Sequence, residues 1–483
     1  MKDLSPVTFI ISIMLALLSV FMILPVAFVG FTDSPNAEAF LFSATGVFTL
    51  ALIGMLMTRG HSRYLKPRYM FILTISSWFL ISLFAAVPLY FSDLNLSVTD
   101  ALFESVSGIT TTGSTVFSGL DEMSPDILYW RSILQWIGGI GIIGMFVAVL
   151  PALGIGGMRL FTTESSEWTD KALPRMKTLG RGLVFVYVSF TILCMLTYLA
   201  SGMSVFDAVN HGFTTIATGG FSTSDQSMGK FADSNLLMLE ASFFLILGAL
   251  PFFLYVREIN GQHGVLWRDQ QVRAFLLLVI VVTLIMTTYR LWNETGDPFS
   301  LFTATLFNVT SILTTAGFAS EEYQLWGPFA FAGFFFLMFV GGCSGSTTGG
   351  MKIFRFQLSF MVLREQFKRL LHPRAVLTRK YNDRAVSDEI IASMIAYAFM
   401  FLACLLAGTM ALSFFGLDFI TSLSGTLTAL TNVGPGLGDT IGPAGNFQSL
   451  PDEVKWILCF GMIAGRLELL SVMVVLSPGF WKG

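Results

Sequence analysis

Four short segments rich in threonine and glycine recur along an otherwise apolar chain, and each lies between two hydrophobic runs. In chain order they read SGITTTGS, TTIATGG, TSILTTAGF and LTNVGPG. We align them on four glycines. The candidate functional residues are each glycine and the two residues before it: Thr111, Thr112, Gly113; Ala217, Thr218, Gly219; Thr315, Ala316, Gly317; and Asn432, Val433, Gly434. The chemistry that such segments offer is mainly that of their backbone carbonyl groups.

A ring of backbone carbonyl oxygens can replace the water shell of an alkali cation. Glycine suits such a ring because aiming successive carbonyls at one axis requires backbone angles that a β-carbon disfavours. Irregular backbone at membrane depth is tolerated only where protein buries it or where it lines water. The four copies therefore predict four loops around one cation path. The alternative is that TTTG and TTAG are small-residue surfaces for helix packing, and the fourfold recurrence in register weighs against it.

A second glycine-rich stretch, GGCSGSTTGGMK, begins at Gly341 and follows a short apolar run, 329–340. A helix of that length covers about 18 Å, roughly half of the hydrocarbon core. The chain is therefore predicted to unwind near the midplane, below the four loops, and to form a gate there. The order of residues does not fit the nucleotide-binding pattern GxxxxGK(S/T), and the alternative is a kinked helix without a gating role. The predicted gate residues are Gly341, Gly342, Cys343, Ser344, Gly345, Ser346, Thr347, Thr348, Gly349 and Gly350.

Arg466 is the third candidate, because it lies near the middle of the last apolar run, in CFGMIAGRLELL. A central arginine costs about 2.5–3.5 kcal/mol on insertion scales, so it should face the bundle interior or water. Glu468, two positions later, lies on a different helix face and is a poor partner. We expect Arg466 to project into the path on the cytoplasmic side of the loops as an electrostatic barrier. The alternative is an ion pair that joins helices.

Membrane-spanning helices must position these residues. The chain has 483 residues, of which 54% are hydrophobic and 12% charged, and its mean hydropathy is +0.72. Soluble domains carry about 25% charged residues, so the composition predicts an integral membrane protein. The first apolar run is longer than the apolar core of a signal peptide, and we interpret it as a retained helix bent near Pro25. Ten runs are long enough to span: 7–31, 38–57, 69–91, 127–150, 182–200, 236–256, 274–290, 328–371 with an interruption, 389–415 and 454–476.

The distribution of charge orients these spans. With the N-terminus in the cytoplasm, 23 of the 28 Lys and Arg residues fall on the cytoplasmic side, whereas the opposite loops carry acidic residues such as Asp121 and Glu322. This bias predicts that both termini are cytoplasmic. Acidic outer loops would also raise the cation concentration at the mouth of the path.

The predicted fold class is an all-α polytopic membrane protein with four pseudo-symmetric units around one ion path. Each unit is a span, a short pore helix, a glycine loop and a second span, and the pore helix directs the negative end of its dipole at the axis. The predicted N-caps are Thr99 or Asp100, Ser204 or Asp207, Ser300, and Asp418 or Thr421. The predicted regions are an N-terminal helix pair, 1–65, and four pore units, 66–155, 156–258, 259–372 with the loop 341–350, and 373–483.

Two other classes of function fit less well. A secondary carrier with broken helices usually has two related halves, whereas this chain has four units of one orientation. An intramembrane enzyme needs paired acids, a Ser–His pair or a metal cluster at membrane depth, and the sequence offers none. The four cysteines form no CxxC pair and the four histidines are far apart, which argues against a disulfide framework or a metal site. A carrier for sodium or another small solute remains the alternative function.

Together these motifs resemble the Trk/Ktr/HKT superfamily of potassium and sodium transporters. The resemblance covers nearly the whole chain and rests on the four glycine segments, GGCSGSTTGG and GRLELL. The additional N-terminal pair and the length resemble the TrkH branch more than the shorter KtrB branch. In this family each unit is related to a potassium-channel subunit, the selectivity filter surrounds the four glycines, and the third-unit loop gates below it. Some plant relatives have serine at the first filter glycine and favour sodium, so Gly113 implies potassium. Pro435 makes the units only pseudo-equivalent.

The resemblance also implies the transported ion, the partners and the location of the protein. Potassium would be the transported ion, and the chain would bind no cofactor. The expected partners are a second copy in a homodimer, a cytoplasmic nucleotide-binding regulatory subunit of the TrkA type and membrane lipid, but no nucleic acid. The expected location is the bacterial cytoplasmic (inner) membrane. Channel-like transport and transport coupled to protons or sodium both fit the sequence.

Overall fold

The computed structural model describes residues 4–30, 33–60, 67–148, 172–374 and 377–482. These residues form a mostly helical protein with one small antiparallel hairpin, Lys380–Tyr381 with Arg384–Ala385. The region boundaries predicted at 65–66 and at 155–156 lie outside the described residues.

The N-terminal helices form a pair that packs against the first helix of the next unit. The pair consists of Ser5–Phe21 with Leu24–Val29, followed by Ala37–Met57. The first helix is interrupted just before Pro25, whose ring lacks an N–H and suits the first turn of a new helical segment. The interruption is mild, because Ser5–Val29 still forms one apolar span of 25 residues.

Four units follow, each with a first helix, a pore helix, a pore loop and a second helix. The first helices are Pro67–Ala85 with Val87–Tyr90, Ala172–Ala200, Gln270–Asn293 and Asp388–Phe414. The pore helices are Val98–Ile109, Val205–Ile216, Pro298–Leu313 and Phe419–Thr431. The second helices are Pro125–Ala148, Asn235–Ala249 with Phe252–Ile259, Pro328–Val340 with Ile353–Leu371, and Asp452–Arg466 with Leu469–Leu476. Short helical turns are Leu120–Glu122, Ser227–Phe231, Val265–Arg268, Tyr323–Trp326 and Pro478–Lys482.

The four units close into a ring through their helices. The second helix of each unit packs against the pore helix of the next unit, and Asp452–Arg466 of unit 4 packs back on Val98–Ile109 of unit 1. At this last seam the Lys455 Nζ atom lies 2.7 Å from the Asp100 Oδ1 atom. The cyclic packing confirms the predicted fold class, an all-α protein of four pseudo-symmetric units with an additional N-terminal pair.

Helices account for most of the described residues of the ten predicted apolar segments, but not all of the segments are straight spans. Among the described residues, six helices are long and apolar enough to cross a membrane, and two further pairs qualify only if each bent pair counts as one span. The remaining two predicted segments correspond to Pro125–Ala148 and to the interrupted pair that begins at Pro328. Residues 149 and 150 lie outside the described residues.

The two bent pairs contradict the prediction of continuous spans over 236–256 and 454–476. The second helices of units 2 and 4 bend by 88° and 110°. In unit 2 the break lies at Pro251, which cannot donate the hydrogen bond that would continue the helix. In unit 4 it lies at Glu468, whose φ of +62° is incompatible with a continuing right-handed helix.

All four pore helices begin with the same type of cap, in which a side-chain oxygen accepts a hydrogen bond from the N–H three residues later. The prediction is confirmed for Ser204 and Asp418. In units 1 and 3 it is wrong, because Thr99, Asp100 and Ser300 lie inside the first helical turn. The capping residues are Ser97, Ser204, Asp297 and Asp418. Each has the extended backbone that an N-cap requires.

Candidate functional site

Each pore helix ends in the same turn, which creates a triplet of residues with a distinctive backbone. The first residue of each triplet is left-handed, with φ from 49° to 56°: Thr111, Thr218, Thr315 and Asn432. The second residue donates its N–H to a carbonyl five residues earlier, as in a Schellman turn: Thr112, Gly219, Ala316 and Val433. The third residue is a glycine with φ from 75° to 113°: Gly113, Gly220, Gly317 and Gly434.

The structure shifts the predicted register of unit 2 by one residue. The sequence alignment pairs Gly219 with Gly113, but the backbone conformation pairs Gly220 with it. Gly219 does not have a positive φ and occupies the second triplet position. Ala217 is the C-cap of its pore helix, with a right-handed backbone, and precedes the triplet. Because Gly219 and Gly220 are consecutive, the sequence alone does not show which of them corresponds to Gly113.

The four triplets touch one another in a closed cycle. A β-carbon built on the third residue of each triplet would collide with the carbonyl oxygen of the second residue in a neighbouring loop. The four pairs are Gly113 with Gly219 (2.3 Å), Gly220 with Ala316 (1.9 Å), Gly317 with Val433 (1.9 Å) and Gly434 with Thr112 (2.7 Å). Glycine is therefore required at the third position both by its positive φ and by the neighbouring carbonyl. The same contact between glycine and carbonyl therefore joins each of the four loops to its neighbour.

Threonine at the first triplet position is strained, because a β-branched residue rarely adopts a left-handed backbone. Such strain costs about 1–3 kcal/mol and persists where the surroundings compensate for it. Thr218 Oγ1 donates to Thr347 Oγ1 at 3.1 Å, and Thr315 Oγ1 accepts from the Gly349 N–H at 2.7 Å. Two of these threonine hydroxyls thus bond the ring to the loop 341–350.

The loop 341–350 is seated against the C-terminal ends of the pore helices. Its residues are buried except Gly350, which is half-buried. Thr347 Oγ1 donates to the Ile216 carbonyl at 3.1 Å, and the Gly350 N–H donates to the Thr431 carbonyl at 2.8 Å. The loop therefore lies directly next to the ring, as the sequence predicts, and bonds to units 2 and 4 as well as to its own unit.

The broken second helix of unit 2 supports the same loop from another side. The Cys343 N–H donates to the Ala249 carbonyl, and the Phe252 N–H donates to the Gly345 carbonyl, both at 2.9 Å. Ala249 and Phe252 flank the break at Pro251, so their backbone groups are free to bond outside the helix. The break and the loop form one hydrogen-bonded assembly.

Two buried cations also hold the loop. Arg466 is 3% exposed, and its Nη2 donates to the Thr347 carbonyl at 2.7 Å. It ends its helix at the 110° bend, not at the middle of a straight span. Lys352 donates from Nζ to the Thr348 carbonyl at 2.6 Å. A cavity of about 20 Å³, which is room for one water molecule, lies between Lys352, Arg466 and Gly349.

Arg466 forms no ion pair with a carboxylate of the described residues. Glu468 instead pairs with Arg355 at 2.5 Å, and the Arg355 guanidinium lies over the Tyr397 ring at 3.7 Å. The spacing of Arg466 and Glu468 on the helix predicts that they do not pair with each other, and in the structure they do not. Among the described residues, the Arg466 guanidinium is thus bonded to a backbone carbonyl and not to a carboxylate.

Sequence reasoning missed two polar residues in the second helix of unit 1. Arg131 is 1% exposed and pairs with the buried Glu104 at 2.7 Å. Gln135 is fully buried, donates to the Gly219 carbonyl at 2.5 Å and accepts from the Phe221 N–H at 3.1 Å. The signal that could have found them is their spacing of four, which places two polar side chains on one face of an apolar helix.

Within the described ranges, no three His, Cys, Asp or Glu residues are grouped so that they could hold a metal ion. The four cysteines are all unpaired. The oxygen atoms at the contacts between the four loops are backbone carbonyls of the triplets, and backbone carbonyls are ligands typical of alkali cations.

Comparison with known proteins agrees with this geometry. The TrkH family model, described as a cation transport protein, matches residues 39–481. The chain is 46% identical to the Trk system potassium uptake protein TrkI of Halomonas elongata, over 99% of this chain and 97% of that protein. It is 36% identical to TrkH of Escherichia coli over 99% of both chains. The crystal structure of the potassium transporter TrkH from Vibrio parahaemolyticus is similar with a TM-score of 0.91 and 35% identity, over 100% of both chains. The resemblance inferred from the motifs is thereby confirmed, and the chain belongs to the TrkH family of cation transport proteins.

Proposed function

We propose that this protein takes up potassium ions across the cytoplasmic membrane through the ring formed by its four pore loops. The observation that carries the proposal is the closed cycle of four equivalent triplets, in which the glycine of one loop lies against the carbonyl of the next. Positive φ at the first and third positions turns successive carbonyls toward the same side of the loop. A stack of carbonyl ligands is what a dehydrated alkali cation requires.

Potassium is favoured as the ion by the relatives. TrkI of Halomonas elongata is a potassium uptake protein and TrkH of Vibrio parahaemolyticus is a potassium transporter, and both match along nearly the whole chain. We assign the ion ligands to the three triplets as predicted in units 1, 3 and 4, and to Thr218, Gly219 and Gly220 in unit 2. Ala217 is left out of this assignment because it precedes the triplet.

The pore helices contribute to cation binding through their dipoles. All four have their C-terminal ends at the ring, where the last carbonyl groups carry partial negative charge. A cation at the centre of the ring would be attracted by four such ends at once. No carboxylate is needed in the ring for this attraction, and none of the triplet residues is acidic.

We propose that the loop 341–350 closes the path below the ring and that Arg466 adds an electrostatic barrier there. The support is the position of the loop, which bonds to the ring threonines and to the pore-helix ends. Arg466 lies against this loop without a carboxylate partner in the described structure. Opening would require the loop to leave the ring and the guanidinium to move from the path.

A cytoplasmic nucleotide-binding subunit of the TrkA type would control this opening, and the transporter would be a homodimer in the inner membrane with both termini in the cytoplasm. The support for the subunit is that the relatives are named as parts of a Trk system. The support for the orientation is the excess of Lys and Arg in the loops assigned to the cytoplasm.

The experiment compares cells that lack this chain with the same cells carrying it on a plasmid, so that any native partner is present. Uptake of radioactive rubidium is measured with potassium or sodium as competitor. We expect uptake only with the chain present, and competition by potassium at concentrations at least about tenfold lower than sodium, which corresponds to about 1.4 kcal/mol. Equal competition by the two ions, or no cation uptake by a correctly inserted protein, would favour the carrier alternative.

A further inference from the structure

We propose that Gln135 is a positioning residue for the ring and sets the preference for potassium over sodium through the backbone of Gly219. The inference rests on the proposed function of the ring as a selectivity filter. Gln135 belongs to the second helix of unit 1, yet the loop that it contacts belongs to unit 2. It therefore acts across the seam between two units.

The side-chain amide of Gln135 holds the second loop at two points. Its Nε2 atom donates to the Gly219 carbonyl at 2.5 Å, and its Oε1 atom accepts from the Phe221 N–H at 3.1 Å. The two contacts flank Gly220, the left-handed third residue of the triplet. A two-point contact on either side of a residue fixes its peptide groups in orientation as well as in position.

Gly219 is a glycine because Gln135 occupies the space of a side chain. A β-carbon on Gly219 would lie 2.3 Å from Oε1 and 2.4 Å from Cδ of Gln135. The backbone of Gly219 does not itself demand glycine, since its φ is not positive. Equivalent positions in the other loops are Thr112, Ala316 and Val433, all of which carry side chains. The triplet of unit 2 is thus the only one of the four with glycine at the second position, and the buried Gln135 of unit 1 explains that glycine.

The Gly219 carbonyl differs from its three equivalents in the ring. It accepts a hydrogen bond from Gln135, whereas in the described structure the carbonyls of Thr112, Ala316 and Val433 receive none from a side chain. A carbonyl tethered in this way resists moving inward. Sodium is the smaller ion and needs its ligands closer, so a tethered carbonyl penalises sodium more than potassium.

Arg131 keeps Gln135 in place from one helical turn away. Its Nη1 donates to the Ser222 carbonyl at 3.1 Å, and its guanidinium lies over the Phe221 ring at 4.1 Å. The same helix therefore contacts residues 219, 221 and 222 in succession. This fixes the distance between the helix and the loop, which the short contact between Gln135 and Gly219 requires.

The test measures competition of potassium and of sodium with rubidium uptake in variants of the full chain. We expect Gln135→Ala to lower the potassium-to-sodium preference by about three- to tenfold, the effect of losing one or two hydrogen bonds. Gln135→Glu keeps an acceptor for the Phe221 N–H but loses the donor to Gly219, so it should lower the preference as well. Ser132→Ala is the matched control and should keep the wild-type preference. Ser132 is buried on the same helix as Gln135, but its hydroxyl bonds only to the Leu128 carbonyl of that helix.

A second variant keeps the test decisive if Gln135→Ala fails to reach the membrane. We expect Gly219→Ala to lower the preference in the wild-type background, because the new methyl group displaces the amide of Gln135. This single variant does not depend on Gln135→Ala. If Gln135→Ala does reach the membrane, Gly219→Ala in that background should cause no further loss. Wild-type preference in Gly219→Ala, or independent effects of the two changes, would overturn the role of Gln135.

The variant Gly317→Ala separates this inference from the proposed function. Gly317 belongs to the ring but does not touch Gln135, and its β-carbon would lie 1.9 Å from the Val433 carbonyl. If Gly317→Ala loses the potassium preference while both Gln135 variants and Gly219→Ala keep it, only the role of Gln135 is wrong. If Gly317→Ala also keeps the preference in a correctly inserted protein, the ring is not the filter and the proposed function fails.

Discussion

The residue types in the four loops follow from the atoms that surround each position. At the third position of each triplet, a carbonyl of the next loop leaves no room for a side chain. At Gly219, the side chain of Gln135 leaves no room for one. The sequence shows the glycines but not these neighbours, which lie in other units. For this reason the sequence alignment paired Gly219, and not Gly220, with Gly113. For the same reason no sequence pattern identified the contacts of Gln135 or Arg131.

The change Gly113→Ser tests the ring at a single position. Its β-carbon would lie 2.3 Å from the Gly219 carbonyl, and the φ of +87° is unfavourable for serine. We expect the potassium-to-sodium preference to fall by about tenfold or more. A change of about 1.4 kcal/mol in the difference between the binding free energies of the two ions suffices for that. Competition against rubidium uptake measures it.

Gly46→Ser is the matched control, since Gly46 lies in a helix of the N-terminal pair and a β-carbon at that position would have nothing within 4 Å. This variant should keep the wild-type preference. A wild-type preference in Gly113→Ser as well would remove the first unit from the filter.

The change Arg466→Ala tests the electrostatic barrier. A cation within about 4 Å of a guanidinium meets about 4 kcal/mol of repulsion at an effective dielectric constant near 20. We expect the rate of rubidium uptake to rise by about tenfold, which requires only about 1.4 kcal/mol. The preference between potassium and sodium should not change, because the proposed function assigns selection to the ring.

Arg466→Lys distinguishes the charge from the hydrogen bond to Thr347. Lysine keeps the positive charge but cannot reproduce the planar guanidinium contact. The barrier predicts a low rate in this variant. If Arg466→Lys and Arg466→Ala raise the rate equally, the arginine acts by holding the loop and not by its charge.

The second helices of units 2, 3 and 4 share one property, which is that each is broken beside the loop 341–350. In unit 2 the groups at the break bond to the loop directly, and in unit 4 Arg466 reaches the loop from the bend. Only the break in unit 3 was predicted, because its glycines are conspicuous. Pro251 was a usable signal for the break in unit 2. The bend at Glu468 has no local sequence signal, since its left-handed backbone depends on tertiary contacts.

The change Thr347→Val tests whether these bonds keep the loop closed. Valine has nearly the same shape, but it loses the hydroxyl that bonds to the Ile216 and Gly248 carbonyls and to Thr218. Each lost bond destabilises the closed loop by about 0.5–1.5 kcal/mol. We expect basal rubidium uptake to rise by about three- to tenfold and to depend less on the regulatory partner, as we also expect for a shortened loop.

Thr45→Val serves as the control for this change, because Thr45 is exposed and bonds only to carbonyls of its own helix. Its uptake should match the wild type. A folded Thr347→Val protein, or one with a shortened loop, that shows ordinary regulated uptake would contradict the gating role of the loop.

The whole molecule is a ring of four units with a helix pair attached to unit 1. The sequence predicted this plan because each unit repeats the same order of apolar run, polar loop and apolar run. It could not predict how the units meet, since the seams depend on pairs such as Asp100 with Lys455 and Gln135 with Gly219. These pairs connect residues of different units, and nothing in their local sequence indicates the partner.

The change Asp126→Ala tests how the N-terminal pair is attached. Asp126 is fully buried and accepts hydrogen bonds from Ser34 Oγ at 2.5 Å and from the Asn36 N–H at 3.0 Å. Removing the carboxylate leaves these donors unpaired, which should destabilise the protein by about 2 kcal/mol. We expect a lower thermal midpoint in detergent and an unchanged ion preference.

Asp233→Ala, at an exposed position, is the control and should keep the wild-type midpoint. An unchanged midpoint in Asp126→Ala would show that the pair is held by apolar packing alone. A changed ion preference in that variant would mean that the pair contributes to the ring.

The central claim is that the four triplets bind the transported cation at their common centre, and rubidium density tests it most directly. Crystals of the full chain grown with rubidium in place of potassium would be measured at the rubidium absorption edge. We predict anomalous peaks between the triplets, surrounded by the carbonyls of Thr112, Gly219, Ala316 and Val433. A map with ordered loops and rubidium bound only elsewhere in the membrane region would contradict the claim.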